Sequence, residues 1–412
     1  MSIGRQQLRE SEDRLCAYLD ELAGVMGRVS RVGPMRDYCT GLLLPGERKS
    51  VEPIAAVTAP GRVAAQHQSL LHFVAQGGWS DARVLAKIRE IVLPHIERHG
   101  AIRAWVIDDT GFPKHGRHSV GVSHQYCGQT GKQDNCQVAV SLSLANHHAS
   151  LPVAYRLYLP KSWADDETRR AKAGVPDDIA FQTKPKIALD QLAWACAAGL
   201  PRGVVLMDSA YGTDASLRRG ARELGLDYSA AVHARTLVEA CKDGEIRMTA
   251  QALALALPRR AWRTITWREG AAEPLRSRFA RLRVRARGEG CTPDEPEEWL
   301  LIEWPKNEEK PTKFWLSTLD HSIAFNALVD ITMMRWRIER DYLELKQEVG
   351  LGHFEGRGWV GFHHHATMCI AAYGFLISER GAFPPSQTQP TRYVPAIEVP
   401  PSWRPRGSPA PA

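Results

Sequence analysis

No stretch of the 412 residues approaches the run of roughly 20 apolar side chains that a membrane-spanning helix needs, so a helical membrane protein is excluded. The N-terminal MSIGRQQLRESEDR is polar and charged, without the apolar centre of a secretory signal, and the expectation is a soluble protein that stays in the cytoplasm. Eight cysteines lie scattered at positions 16, 39, 127, 136, 196, 241, 291 and 369 with no C-x-x-C pair, which argues against a disulfide framework and for a reducing compartment. Cys127, Cys136, His118 and His124 are near neighbours in sequence, but their spacing fits no standard zinc pattern. Internal repeats are absent too. Acidic residues are scarce in one region: from Arg259 to Arg287 ten arginines face only Glu269 and Glu273.

What is present suits a globular protein with an anionic partner. Hydrophobic residues make up 44%, and the length allows two or three domains with substantial cores. The formal charge of +7 points mildly toward nucleic acid. The arginine block says more, because Trp262 and Trp267 are interleaved with it, the combination that phosphate-backbone binding uses.

Along the chain the texture changes several times. Residues 1–98 read as a helical N-terminal domain, with apolar residues at helical spacing in Leu8–Val25 and Val84–Ile96, and DNA binding is one role open to it. Residues 99–234 alternate between strands and helices: Ala104–Asp109, Gln137–Leu144 and Leu151–Leu159 form a meander, and Gly203–Asp208 and Tyr228–Val232 are further strands. Residues 235–312 are irregular, basic and strand-containing, and look inserted. In 313–378 the pattern returns to a strand, Phe314–Thr318, and a helix predicted over Asp330–Gly350. Residues 379–412 are rich in Pro, Ser, Thr and Gln and are expected to be disordered.

The chemistry lies in the acids. Two apolar strands each end in a carboxylate, at Asp108 and Asp208, and the 330–350 helix carries Glu339 on the shoulder of a stripe formed by Ile331, Met334, Ile338, Leu345 and Val349. Steps of four and seven residues bring Arg335, Glu339 and Lys346 to the same side. Carboxylate oxygens are hard ligands suited to Mg²⁺, and two such ions about 4 Å apart can activate an attacking oxygen and stabilise a leaving one. Asp109 competes with Asp108, since alternation along a strand sends the two to opposite faces. Glu344 competes with Glu339. His363–His365 adjoin an apolar run, so packing is as open to them as a role at a site.

Three segments carry a resemblance: VIDDTGFPKHG at 106–116, VVLMDSAYG at 204–212 and RWRIERDYLELK at 335–346. Together, in this order and with a basic insertion before the last, the chain resembles insertion-sequence transposases of the DDE class. The third segment matches the signature Y-x2-R-x3-E-x6-K at Arg335, Glu339 and Lys346, with Thr332 where the tyrosine would stand. The resemblance implies an α/β fold, an RNase-H-like mixed sheet flanked by helices and interrupted by the β-rich insertion. It implies a metal-binding triad of Asp108, Asp208 and Glu339 holding two Mg²⁺ ions, with Mn²⁺ as a substitute. It places Arg335 and Lys346 at DNA phosphate; Thr332 keeps a hydroxyl at the signature position, Tyr342 is a candidate for the missing aromatic contact, and Trp315, beside Phe314 on the strand entering the core, is a candidate stacking face for a base. The partners it implies are double-stranded DNA, at element ends and target, and a second copy of the chain in a synaptic dimer, in a bacterial cytoplasm at the nucleoid. A catalytically silent DNA-binding derivative and a structure-selective nuclease are the alternatives.

Overall fold

The computed structural model describes residues 2–240, 247–268 and 274–382, so most of the Pro-rich tail expected from residue 379 lies outside the described residues. Five helices come first: α1 (Ser2–Ala23), α2 (Val32–Leu43), α3 (Val51–Thr58), α4 (Val63–Ala75) and α5 (Asp81–Glu97). Strands β1 (Ala104–Pro113), β2 (Ser123–Cys127), β3 (Lys132–Ala145) and β4 (Ser150–Leu157) follow, then helices α6 (Lys161–Ala164), α7 (Glu167–Ala173) and α8 (Lys184–Ala197). The chain returns to the sheet as β5 (Val204–Met207), turns through α9 (Ser209–Gly212) and α10 (Ala215–Glu223), and enters β6 (Tyr228–Val232). The inserted region supplies β7 (Leu237–Ala240), β8 (Arg247–Thr249), α11 (Ala250–Ala256), β9 (Arg263–Arg268), β10 (Leu275–Arg287) and β11 (Glu297–Trp304). Last come β12 (Lys313–Ser317), α12 (Phe325–Met333), α13 (Trp336–Gln347) and α14 (Trp359–Ala382).

The mixed sheet flanked by helices is the RNase-H-like arrangement the sequence implied. Its core runs β4-β3-β1-β5-β6, with β3 antiparallel to β1 and the β1, β5 and β6 strands parallel. The insertion is not a separate lobe hung on a linker. Strand β12 pairs antiparallel with β6, and β11, β10 and β7 continue outward from it, so the basic strands extend the core sheet edge to edge.

One boundary differs from expectation in a way that matters. Strand β1 does not end at its acids: it runs on to Pro113, hydrogen-bonded to β3 throughout. Its parallel partner β5 pairs only with Ala104–Val106. Asp108 and Asp109 therefore lie mid-strand yet beyond the last rung with β5, at the carboxyl edge of the parallel strands where open α/β sheets place their ligands.

Helix α14 is buried continuously from Gly361 to Ser378 and packs against α2, α4, α5 and β4. A helix buried all round belongs to a core, and here its polar side chains are buried with the apolar ones. The N-terminal helices wrap it, and their buried residues (Leu19, Met35, Ile54, Leu70 and Ile88 among them) belong to the same hydrophobic cluster as the sheet. The three histidines of this helix are packing residues: His363 and His364 bond to backbone groups, and His365 to Gly350 and to the Tyr38 hydroxyl.

The single helix expected over 330–350 is two. It breaks at Met334–Arg335, where successive bonds span three residues instead of four. Phe325, Leu328, Val329 and Met333 of α12 join a second core with the inserted strands, whereas Ile331, Met334, Ile338, Leu345 and Val349 face the main core.

Candidate active site

Three segments distant in sequence meet at the carboxyl edge of β1 and β5. Asp108 comes from β1. Its neighbour Asp208 ends β5 and caps α9, accepting from the Ala210 and Tyr211 amides at 2.9 and 3.2 Å. Gly212 closes that short helix where a Cβ would collide with the Ala231 backbone, so α9 sits hard against β6 and fixes the position of Asp208. Glu339 lies in the first turn of α13, exposed over 71% of its side chain.

Arg335 joins the three. Its guanidinium stands 2.9 Å from Asp108 Oδ2, 3.6 Å from Asp208 Oδ2 and 3.5 Å from Glu339 Oε1. The first two oxygens share one guanidinium nitrogen, so they are no further apart than those two contacts laid end to end. Burial raises the Asp108 pKa to about 7; Arg335 opposes the shift, and the charges of Asp208 and Asp109 add to it. Burial works against the Arg335 charge, but Asp108, Asp208 and Glu339 more than offset it and its pKa is raised.

The competing acids fall elsewhere. Asp109 points away from Arg335 and accepts from Lys184 Nζ at 2.9 Å and from the Tyr211 hydroxyl at 3.1 Å. Glu344 pairs with Arg340 and Arg380, the latter from α14, so it links two helices. Lys346 donates to the Gly111 carbonyl at 2.9 Å and to Gln129 Oε1 at 3.2 Å, and burial lowers its pKa to about 8. Lys184 and Tyr211 were not anticipated as partners of Asp109. They lie 75 and 102 residues from it, and no local pattern joins them.

Three expected DNA contacts prove to be interior side chains. Thr332 is buried and hydrogen-bonds Ser229 at 2.8 Å. Tyr342 is buried with its hydroxyl on Ser141, so it supplies no exposed ring in place of the signature tyrosine. Trp315 lies in the second core beside Phe279, Trp299 and Phe325. In each case the side of the strand or helix that carries the residue faces a core. The arginine block is also less free than it reads: Arg285 pairs with Glu297 and Arg287 with Glu239, while Arg278 and Arg281 stack at 4.3 Å on Trp304 and Trp299.

Comparison with known families fits this geometry. The family model described as DDE superfamily endonuclease matches residues 21–274, more than half of the chain. The chain belongs to the DDE superfamily endonucleases. A second model, the transposase DDE domain, matches residues 178–375, which takes in Asp208 and Glu339. A probable transposase for insertion sequence element IS701 of Microchaete diplosiphon is 28% identical over 194 residues, 47% of either chain. The chain thus spans about half the length of that relative. Together these matches agree with the resemblance to insertion-sequence transposases of the DDE class.

Residues of this DDE endonuclease fit a divalent cation by donor chemistry: hard oxygens from three segments already converge on one positive charge. Among the described residues no three such groups stand in a closed ligating arrangement, and the Arg335 guanidinium contacts all three acids. Nor is any described helix long and apolar enough to cross a membrane.

Proposed function

We propose that this chain binds the ends of its insertion sequence and carries out DNA cleavage and strand transfer with Asp108, Asp208 and Glu339 as its triad. The observation that supports this most is the convergence of those acids on Arg335 at 2.9, 3.6 and 3.5 Å, from three separate segments, the first of them 227 residues from Arg335. The triad would hold divalent cations, Mg²⁺ or Mn²⁺, and bound there they supply charge for an in-line displacement at a phosphodiester. The chain's own part is to fix the acids within β1 beyond its last rung with β5, at the end of β5, and on a packed helix. Arg335 and Lys346, on the same side, would bind the phosphate next to the scissile bond. Exposed arginines of the inserted strands would add contacts along the backbone, so binding should weaken steeply with salt. Double-stranded DNA is the partner this reading requires, and a dimer pairing two ends would follow from it, acting in the cytoplasm at the nucleoid.

The experiment is a plasmid excision and cleavage assay with the cognate ends in Mg²⁺. Asp208→Ala should abolish cutting and leave the shift of end DNA largely intact. Loss of both together would make Asp208 structural and remove the enzymatic reading.

A further inference from the structure

Arg335 does more in this structure than border the acids. It stands between them. One guanidinium serves Asp108, Asp208 and Glu339 at once, in the space that any cation bridging those oxygens would need. Two positive groups a few ångströms apart in a half-buried site repel strongly, so the guanidinium and a divalent ion cannot both occupy it at full contact. The arginine is also placed so that it can leave. It sits at the two-residue break between α12 and α13, outside the regular hydrogen bonding of either helix. Its Nε is buried and makes no hydrogen bond, so only the terminal nitrogens hold it. The ligand able to draw a guanidinium off carboxylates is another oxyanion of matching fork geometry, and a DNA phosphate is one.

We propose that Arg335 is an internal counter-ion that keeps divalent cations off the triad until DNA phosphate takes the guanidinium. The inference rests on the triad reading above and adds an order to it: DNA first, then metal. By linkage the coupling is reciprocal, so metal tightens DNA binding by the same factor as DNA tightens metal binding. The latch also keeps a nuclease idle in the absence of its substrate.

The test is Mn²⁺ binding by the full-length chain, followed through loss of the free-ion paramagnetic resonance signal, with and without a blunt duplex of arbitrary sequence at low salt. The wild type should bind Mn²⁺ weakly alone. Arg335→Gln should bind it roughly 5- to 150-fold more tightly, the usual range of coupling between two sites. The duplex should tighten Mn²⁺ binding to the wild type by a similar factor and leave Arg335→Gln little changed. Adding Asp208→Asn should remove the site in either background. Arg335→Gln binding no tighter than wild type, with Asp208→Asn still abolishing it, would overturn the latch and leave the triad standing. Mn²⁺ binding indifferent to Asp208→Asn would bring down the triad reading itself. Should Arg335→Gln fail to fold, the wild type with and without duplex decides alone: no tightening overturns the latch.

Discussion

Tyr373, on the buried last helix, donates its hydroxyl to the Asp341 carboxylate at 2.8 Å, two residues along α13 from Glu339. Ser150 of β4 donates to the other oxygen. Asp341 is thereby the rivet between the Glu339 helix, the sheet and α14. Tyr373→Phe should cost about 1–3 kcal/mol by leaving part of a buried acceptor unpaired. Burial raises the Asp341 pKa from 3.8 to about 7, against the pull of its two hydrogen bonds. A carboxyl with a raised folded pKa contributes stability that is complete below the unfolded value and is lost as pH rises through the folded one. Urea melts at several pH values between 4 and 8 should therefore show a smaller pH dependence for Asp341→Asn than for wild type; parallel curves would show that Asp341 does not titrate there.

Asp108 and Asp109 make a direct contrast. Asp108 faces Arg335 and Asp208, whereas Asp109 is tied to Lys184 and Tyr211. Asp108→Asn should abolish Mg²⁺-dependent cleavage. Asp109→Asn should keep measurable cutting, reduced about tenfold if one charged hydrogen bond's worth of positioning is lost. The reverse ranking in a cleavage time course would transfer the ligand role to Asp109.

Lys346 gives a pH signature in binding. Its pKa is lowered from 10.5 to about 8, so the ammonium that a phosphate would meet is present below pH 8 and fades above it. The sign for stability is opposite: a lysine depressed in the folded state contributes stability above its unfolded pKa, and that is lost as pH falls through 8. DNA affinity should decline between pH 7.5 and 9 in wild type and stay flatter in Lys346→Arg, whose charge persists. Lys346→Ala should lower the salt slope of binding by about 1. Identical pH profiles for wild type and Lys346→Arg would rule the contact out.

The acids were legible because each is announced locally, by an apolar strand that runs into carboxylates or by a helix whose stripe puts Glu339 on its shoulder. The sheet strands were legible for the same reason. What escaped reading were choices made by partners far along the chain. The apolar stripe of 330–350 continues unbroken across Met334–Arg335, all of it in the main core, so nothing local announces the helix break there. Thr332, Tyr342 and Trp315 carry chemistry that suits a nucleic acid, but Ser229, Ser141 and the second core claim them first. Helix α14 was visible only as an apolar run, since the helices that enclose it come from the opposite end of the chain.

The splice of β12 onto β6 makes the arginine-bearing strands and the carboxylates parts of one board. Nothing short of unzipping backbone hydrogen bonds lets one tilt against the other. On the proposed function, a duplex held by both would be measured as if by a ruler: the stretch of helix between grip and cut would follow the spacing of strands, and an insertion or deletion in that stretch of DNA would shift the point of incision and not the hold.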